Sequence, residues 1–146
     1  VAFTGNPNHH GDRRRSIPPD LAAPLLRQPR LRFINLQHGP AAATLNLPDL
    51  TQALTDYAET AALIANLDLV ITVDTSVAHL AGALGKPVWI LLPHAPDWRW
   101  MLDRRDSPWY AAARLFRQPT PGDWGSVLAQ VARELSENPP QPEQVI

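Results

Sequence analysis

The apolar positions change rhythm along the chain. Leu69 to Val73 is apolar at every position except Thr72, the pattern of a strand covered on both faces. Asp74, Thr75 and Ser76 follow, and then Val77, Leu80, Ala81 and Leu84 recur at helical spacing. That spacing predicts a helix from about Ser76 to Leu84, closed by Gly85 as a left-handed cap and by Pro87. Val88 to Leu92 reads as a second continuous apolar strand, Ala113 to Phe116 as a weaker one, and Trp124 to Leu135 as an amphipathic helix. Upstream, Val1 to Thr4 reads as a short strand, and Gly5 to Asp12 is a polar loop rich in turn formers. Pro18 or Pro19 suits the first turn of a helix to about Arg27 that buries Leu21, Leu25 and Leu26, with Pro24 inside it. Leu31 to Gln37 is the second strand. A long loop leads to a helix over Glu59 to Asn66, with Ala58, Ala61, Ala62 and Ala65 spaced for close packing.

Strands alternating with helices predict an α/β fold, Rossmann-like, with a mostly parallel sheet and helices on both faces. In such sheets ligands bind beyond the carboxyl ends of the strands near the switch point, which directs attention to the loops after Thr4, Gln37, Val73 and Leu92. Residues 1–136 are expected to form the domain, and 137–146 a solvated Pro-rich tail. Val1 opens on what looks like the end of a strand, so the chain is expected to be a fragment of a longer protein.

Composition removes several functions. A formal net charge of -1 over 146 residues gives no bulk attraction to nucleic acid or anionic lipid. With no cysteine, disulfides, thiolate metal sites and a cysteine nucleophile are excluded. No apolar run approaches the ~20 residues of a membrane span, and no stretch of these residues reads as a basic-then-apolar signal peptide. The expectation is a cytoplasmic protein without a transmembrane segment.

The candidate chemistry gathers at the Val73 joint. Thr75 or Ser76 can cap the helix, whose free first-turn amides form an anion site. His79 lies roughly 200° of helical rotation from Val77, on a face shared with Gly82, Ala83 and Lys86 that has little bulk near its amino end. The alternative is a capping cluster with a surface histidine beside it. Arg13, Arg14, Arg15 and Ser16 follow the first strand and, if that strand is central, share an edge with Asp74 and His79; arginine's fork of donors suits phosphate. The alternative there is a solvated basic turn. His9 and His10 lack a third ligand at a recognisable spacing, and no metal is expected. Leu92 to Tyr110, with His94, Asp97, Trp98, Trp100 and Trp109, crowds aromatic and charged residues into one loop. It suits a pocket for a ring, a packed loop or a partner interface.

Taken together, Thr4 to Pro7, Arg14 to Pro18, Asn35 to Gly39, Glu59 to Ala65, Asp68 to Val88 and Pro93 to Gln118 resemble the carboxyl-terminal half of glycosyltransferases related to family 9, the heptosyltransferase group. The chain is especially similar to bacterial proteins in which tetratricopeptide repeats precede such a region. The resemblance implies one half of a GT-B architecture, binding a nucleotide-diphosphate sugar as donor substrate, with no cofactor. It places Asp74, Thr75, Ser76 and His79 at the diphosphate, Arg13 to Ser16 among the phosphate-holding groups, and Gln37 and His38 near the nucleoside. His94, Asp97 and Trp98 are the candidates from the aromatic loop. One position departs from the pattern: Ser76 stands where heptosyltransferases usually have glycine, which lets backbone approach phosphate closely.

Sugar transfer needs charge stabilisation on the departing diphosphate and a base for the acceptor hydroxyl. The chain offers the first and no candidate for the second. In enzymes of the architecture that the resemblance implies, the base commonly belongs to the other half, here the missing amino-terminal one, so the isolated chain is expected to bind without turnover. The rival reading is a non-catalytic module that docks a partner through residues 94–110. A receiver-like domain is weaker, because Asp12 is the only carboxylate in the first strand-loop.

Overall fold

Three parallel strands form the centre of the computed structural model, which describes residues 1–38, 45–48 and 50–140. They are β1 (Val70–Val73), β2 (Val88–Leu92) and β3 (Ala113–Arg117), in the order β1-β2-β3, with Val70 opposite Val88 and Val88 opposite Ala113. The opening residues extend this sheet. Ala2 bridges Thr72 in parallel: its amide donates to the Ile71 carbonyl (3.0 Å) and its carbonyl accepts from Val73 (2.9 Å). On its far side Val1 bonds the 34–36 segment in a parallel pattern, its nitrogen donating to Ile34 and its carbonyl accepting from Leu36. Counted in chain order, the five extended pieces run 2-1-3-4-5, a doubly wound order whose switch point lies between the opening segment and β1.

The helices are α1 (Asp12–Arg15), α2 (Pro19–Ala22), α3 (Tyr57–Ala65), α4 (Ser76–Ala83) and α5 (Trp124–Glu137). Strand alternation sends side chains to two cores. Ile71, Val73, Trp89, Leu91 and Phe116 pack on one face with Ala22, Leu25 and the Val127, Leu128, Val131 and Leu135 stripe of α5. Val70, Val88, Ile90, Leu92 and Leu115 pack on the other with Ile64 of α3 and Val77, Ala78 and Ala81 of α4. Every residue of β1 and β2 is buried, which accounts for apolar runs broken only by Thr72.

Four expectations change. The helix expected to reach Arg27 breaks into α2 and a 3₁₀ turn over Leu25–Arg27, with Pro24 at the junction because it has no amide to donate and its ring obstructs the preceding turn. Leu21 is consequently exposed (45%), and Ala22 and Leu25 fill the core. Leu31 to Gln37 is extended but forms no continuous ladder; its bonds to Val1 cover only the 34–36 stretch. On α3 the packed face is Thr60 and Ile64, while Ala58, Ala62 and Ala65 face outward; the helix begins at Tyr57, capped by Asp56 accepting from the Glu59 amide. On α4 the buried set is Val77, Ala78, Ala81 and Gly82, and Leu84 is exposed. The expected tail begins in the described residues, but 141–146 lie outside them, as does Gly39.

Candidate functional site

The switch point opens as a cavity of about 650 Å³ lined by the carboxyl ends of the opening segment and β1 together with the start of α4. Thr4, Gly5 and Asn6 form one wall, Asp74 to Val77 and His79 the other, with Arg15, Arg99, Gln37 and His38 around them. The geometry explains the joining turn. Thr75 occupies the N-cap position, but its hydroxyl pairs with that of Thr72 (3.2 Å) and makes no cap bond to the helix. The first-turn amides of Ser76 and Val77 thus have no partner among the described residues, and the helix adds the positive end of its dipole there. Ser76 is exposed and keeps an ordinary negative φ, so the backbone here needs none of glycine's freedom.

Arg15 ties the two walls together. Its guanidinium donates to the Asp74 carbonyl (2.8 Å) and to Asp12 Oδ1 (3.1 Å). Asp12 Oδ2 accepts from the Ser16 hydroxyl (2.9 Å), whose oxygen accepts from the Gly5 amide (3.2 Å). Gly5 leaves room for this clasp, since a Cβ there would displace the Asp12 and Arg15 side chains. Ser16 and Asp12 therefore serve as scaffold that aims Arg15. Gln37 is similarly committed: its buried side-chain oxygen accepts from the amides of Phe3 (3.0 Å) and Thr4 (2.9 Å), fixing the end of the opening segment.

His79 is half-buried, with Nδ1 2.9 Å from the Tyr110 hydroxyl and Nε2 3.8 Å from Asp74 Oδ1. Its ring stacks on fully buried Trp100 at 5.3 Å and meets Tyr110 edge-on at 5.8 Å. Burial lowers its pKa below the ordinary histidine value and Arg99 adds to this, against the opposing pull of Asp74 and Asp97. Burial thus favours the neutral imidazole.

The remaining candidates lie apart. Arg13 and Arg14 are exposed; with Ser16 and His94 they line a separate depression of about 430 Å³. His94 is held by Gln118, whose side-chain oxygen accepts from its amide (3.2 Å). Asp97 caps the 3₁₀ turn Trp98–Trp100 by accepting from the Arg99 amide, and lines a third depression with Arg14, Arg15 and Asp74. Trp98 lines none of these cavities; it is 72% exposed and meets Trp109 edge to face. Among the described residues no three His, Cys, Asp or Glu side chains lie together in a metal-binding group, and no helix is long and apolar enough to cross a membrane. Trp100 and Tyr110 were visible in the sequence only as part of the aromatic loop, not as neighbours of His79, and Arg99 was not singled out. The small residue Gly82 was the available signal, because it seats the Tyr110 ring against α4.

A doubly wound α/β domain with an anion-receptive cavity at its switch point is the class these features define. Residues 50–97 match the family model of glycosyltransferase family 9 (heptosyltransferase), a segment that runs through α3, β1, α4 and β2 into the aromatic loop. That match relates the chain to this family of sugar transferases over the segment that carries Asp74 to His79. The chain is also 30% identical over 138 residues to Protein FlbA of Caulobacter vibrioides (strain ATCC 19089 / CIP 103742 / CB 15), an alignment that takes in 86% of the chain and 23% of that protein. It thus spans less than a quarter of that relative's length. No solved structure matches.

Proposed function

We propose that the chain is the donor-binding half of a GT-B glycosyltransferase and holds a nucleotide-diphosphate sugar at the switch-point cavity. The observation that carries this reading is the pair of unpartnered α4 amides at Ser76 and Val77, faced by Arg15 and Arg99 across one cavity. Amides and guanidinium groups stabilise the charge that grows on a departing diphosphate, and they do so without reorganising. A carboxylate repels phosphate but accepts from hydroxyls, so Asp74 is assigned the sugar side and Thr75, Ser76 and His79 the diphosphate. A smaller hollow of about 270 Å³ adjoins the cavity through His38, Ser76 and Val77 and has Leu54, Tyr57 and Leu80 as apolar walls, which suits a nucleoside. The acceptor's base is assigned to an amino-terminal half, with tetratricopeptide repeats as a further segment of the longer protein and the cytoplasm as its compartment. Alone, this chain binds without turnover.

The test is a thermal-shift panel with ADP, UDP, GDP and CDP on the wild type and on Ser76→Ala and His79→Ala. A ligand at a hundred times its dissociation constant adds about 2.7 kcal/mol, a rise of roughly 5–10 °C for a domain of this size. One nucleotide should produce that rise and the variants should reduce it; no rise with any of the four contradicts the proposal. A second reading, docking through residues 94–110, has its own observation: Trp98, Leu102 and Trp109 are 72%, 69% and 54% exposed.

A further inference from the structure

The bond between Tyr110 and His79 spans 31 residues and leaves one proton to be placed. A tyrosine hydroxyl has one hydrogen to donate, and among the described residues this one meets no acceptor other than His79 Nδ1. If Nδ1 carried the imidazole proton, the tyrosine hydrogen would be stranded. Nε2 would then turn a lone pair toward the Asp74 carboxylate 3.8 Å away. If Nδ1 is bare, it accepts from Tyr110, and Nε2–H points at the negative charge. The second arrangement gives the tyrosine hydrogen its acceptor and aims Nε2–H toward a negative charge, whereas the first leaves the tyrosine donor unused and sets two acceptors against each other.

The surroundings make the arrangement rigid. Trp100 supports one face of the imidazole, and Tyr110 is pressed onto the bare backbone of Gly82, where a Cβ would overlap its ring. Asp74 lies beyond hydrogen-bonding distance of Nε2, so that proton remains unspent on the cavity side, beside Ser76 and Arg15. We infer that Tyr110 is a positioning residue: it locks His79 in the Nε2–H tautomer, so that a neutral imidazole presents a hydrogen-bond donor to an anionic group in the switch-point cavity. The anionic ligand rests on the donor-binding reading above; the tautomer does not.

Two-bond ¹H–¹⁵N correlation NMR of the imidazole in the intact chain reads the tautomer directly, without ligand. Wild type should show a protonated Nε2 and a bare, hydrogen-bonded Nδ1. Tyr110→Phe keeps the ring on Gly82 and removes only the hydroxyl, so its amide spectrum should stay folded while the two tautomers mix. With inorganic pyrophosphate as probe, the dissociation constant should rise about fivefold in Tyr110→Phe, the loss of one modest hydrogen bond. An Nδ1–H tautomer in wild type, or an unchanged imidazole pattern in Tyr110→Phe, overturns the inference. A wild-type chain with the tautomer locked that ignores pyrophosphate supports the role of Tyr110 and contradicts the donor reading alone.

Discussion

Replacing Gly82 by alanine sets two familiar effects against each other. In the interior of a helix the change ordinarily stabilises by about 1 kcal/mol, because glycine is the costlier residue to order. Here the new methyl would lie inside the contact surface of the Tyr110 ring, close to its root rather than its mobile tip, and Tyr110 is held in turn by His79 and Trp100. Overpacking of that kind costs about 1–3 kcal/mol. Taking about 2 for the clash and 1 for the gain, Gly82→Ala should destabilise by about 1 kcal/mol and lower the melting temperature by roughly 2–4 °C. In a Tyr110→Ala background the clash is absent, and the same substitution should stabilise by up to about 1 kcal/mol. Urea unfolding of the four proteins in this cycle measures the coupling, expected near 2 kcal/mol. A stabilising Gly82→Ala in the wild type, or coupling below about 0.5 kcal/mol, would refute the claim that Gly82 exists to seat Tyr110.

Three further outcomes follow from the contacts. Gln37→Leu removes the acceptor for the Phe3 and Thr4 amides and should cost about 2–4 kcal/mol in urea unfolding; a loss below 1 would show that water replaces it. Arg114 donates both arms of its guanidinium to Glu134 and holds that carboxyl below the usual glutamate range. A depressed carboxyl contributes stability that is complete above its unfolded pKa and is lost as the pH falls through its folded value. Glu134→Gln should therefore flatten the acid limb of the melting-temperature profile, and an unchanged limb would contradict the linkage. Trp98→Ala removes an exposed ring that lines none of the cavities and should alter stability by less than about 0.5 kcal/mol. Pyrophosphate affinity in isothermal calorimetry should also stay the same.

What could be read from sequence was what is decided locally. Residues 69–92 carry nearly continuous apolar runs, a helical repeat and a stop at Gly85 and Pro87, each acting over a few positions, and the structure has β1, α4 and β2 there. Pro24 outweighed the leucine spacing around it, and α3 shows why alanine spacing is a poor guide: a methyl group is too small to insist on burial, so Ile64 chose the face. The extended residues 31–37 resembled a strand in composition, but their pairing depends on Val1, over thirty residues away. The same limit applies to the cavity. Asp74, Ser76 and His79 share one turn and were visible as a group. The Arg15 bond to Asp74, the Gln37 clasp and the Tyr110 bond cross 59, 33 or 34, and 31 residues, and no local pattern encodes them. The three arginines looked equivalent in sequence, yet only Arg15 lines the switch-point cavity, because Asp12 and Ser16 turn it inward.

The central claim is that an anionic nucleotide sits against the free amides at the start of α4. Amide NMR on the intact chain, titrated with the nucleoside diphosphate that gives the largest thermal shift, locates it residue by residue. The account predicts saturable shifts at Ser76 and Val77 and at Gly5 and Asn6 across the cavity, with Arg15 side-chain signals moving in step. Shifts confined to Trp98, Leu102 and Trp109, or none up to millimolar ligand, would contradict it.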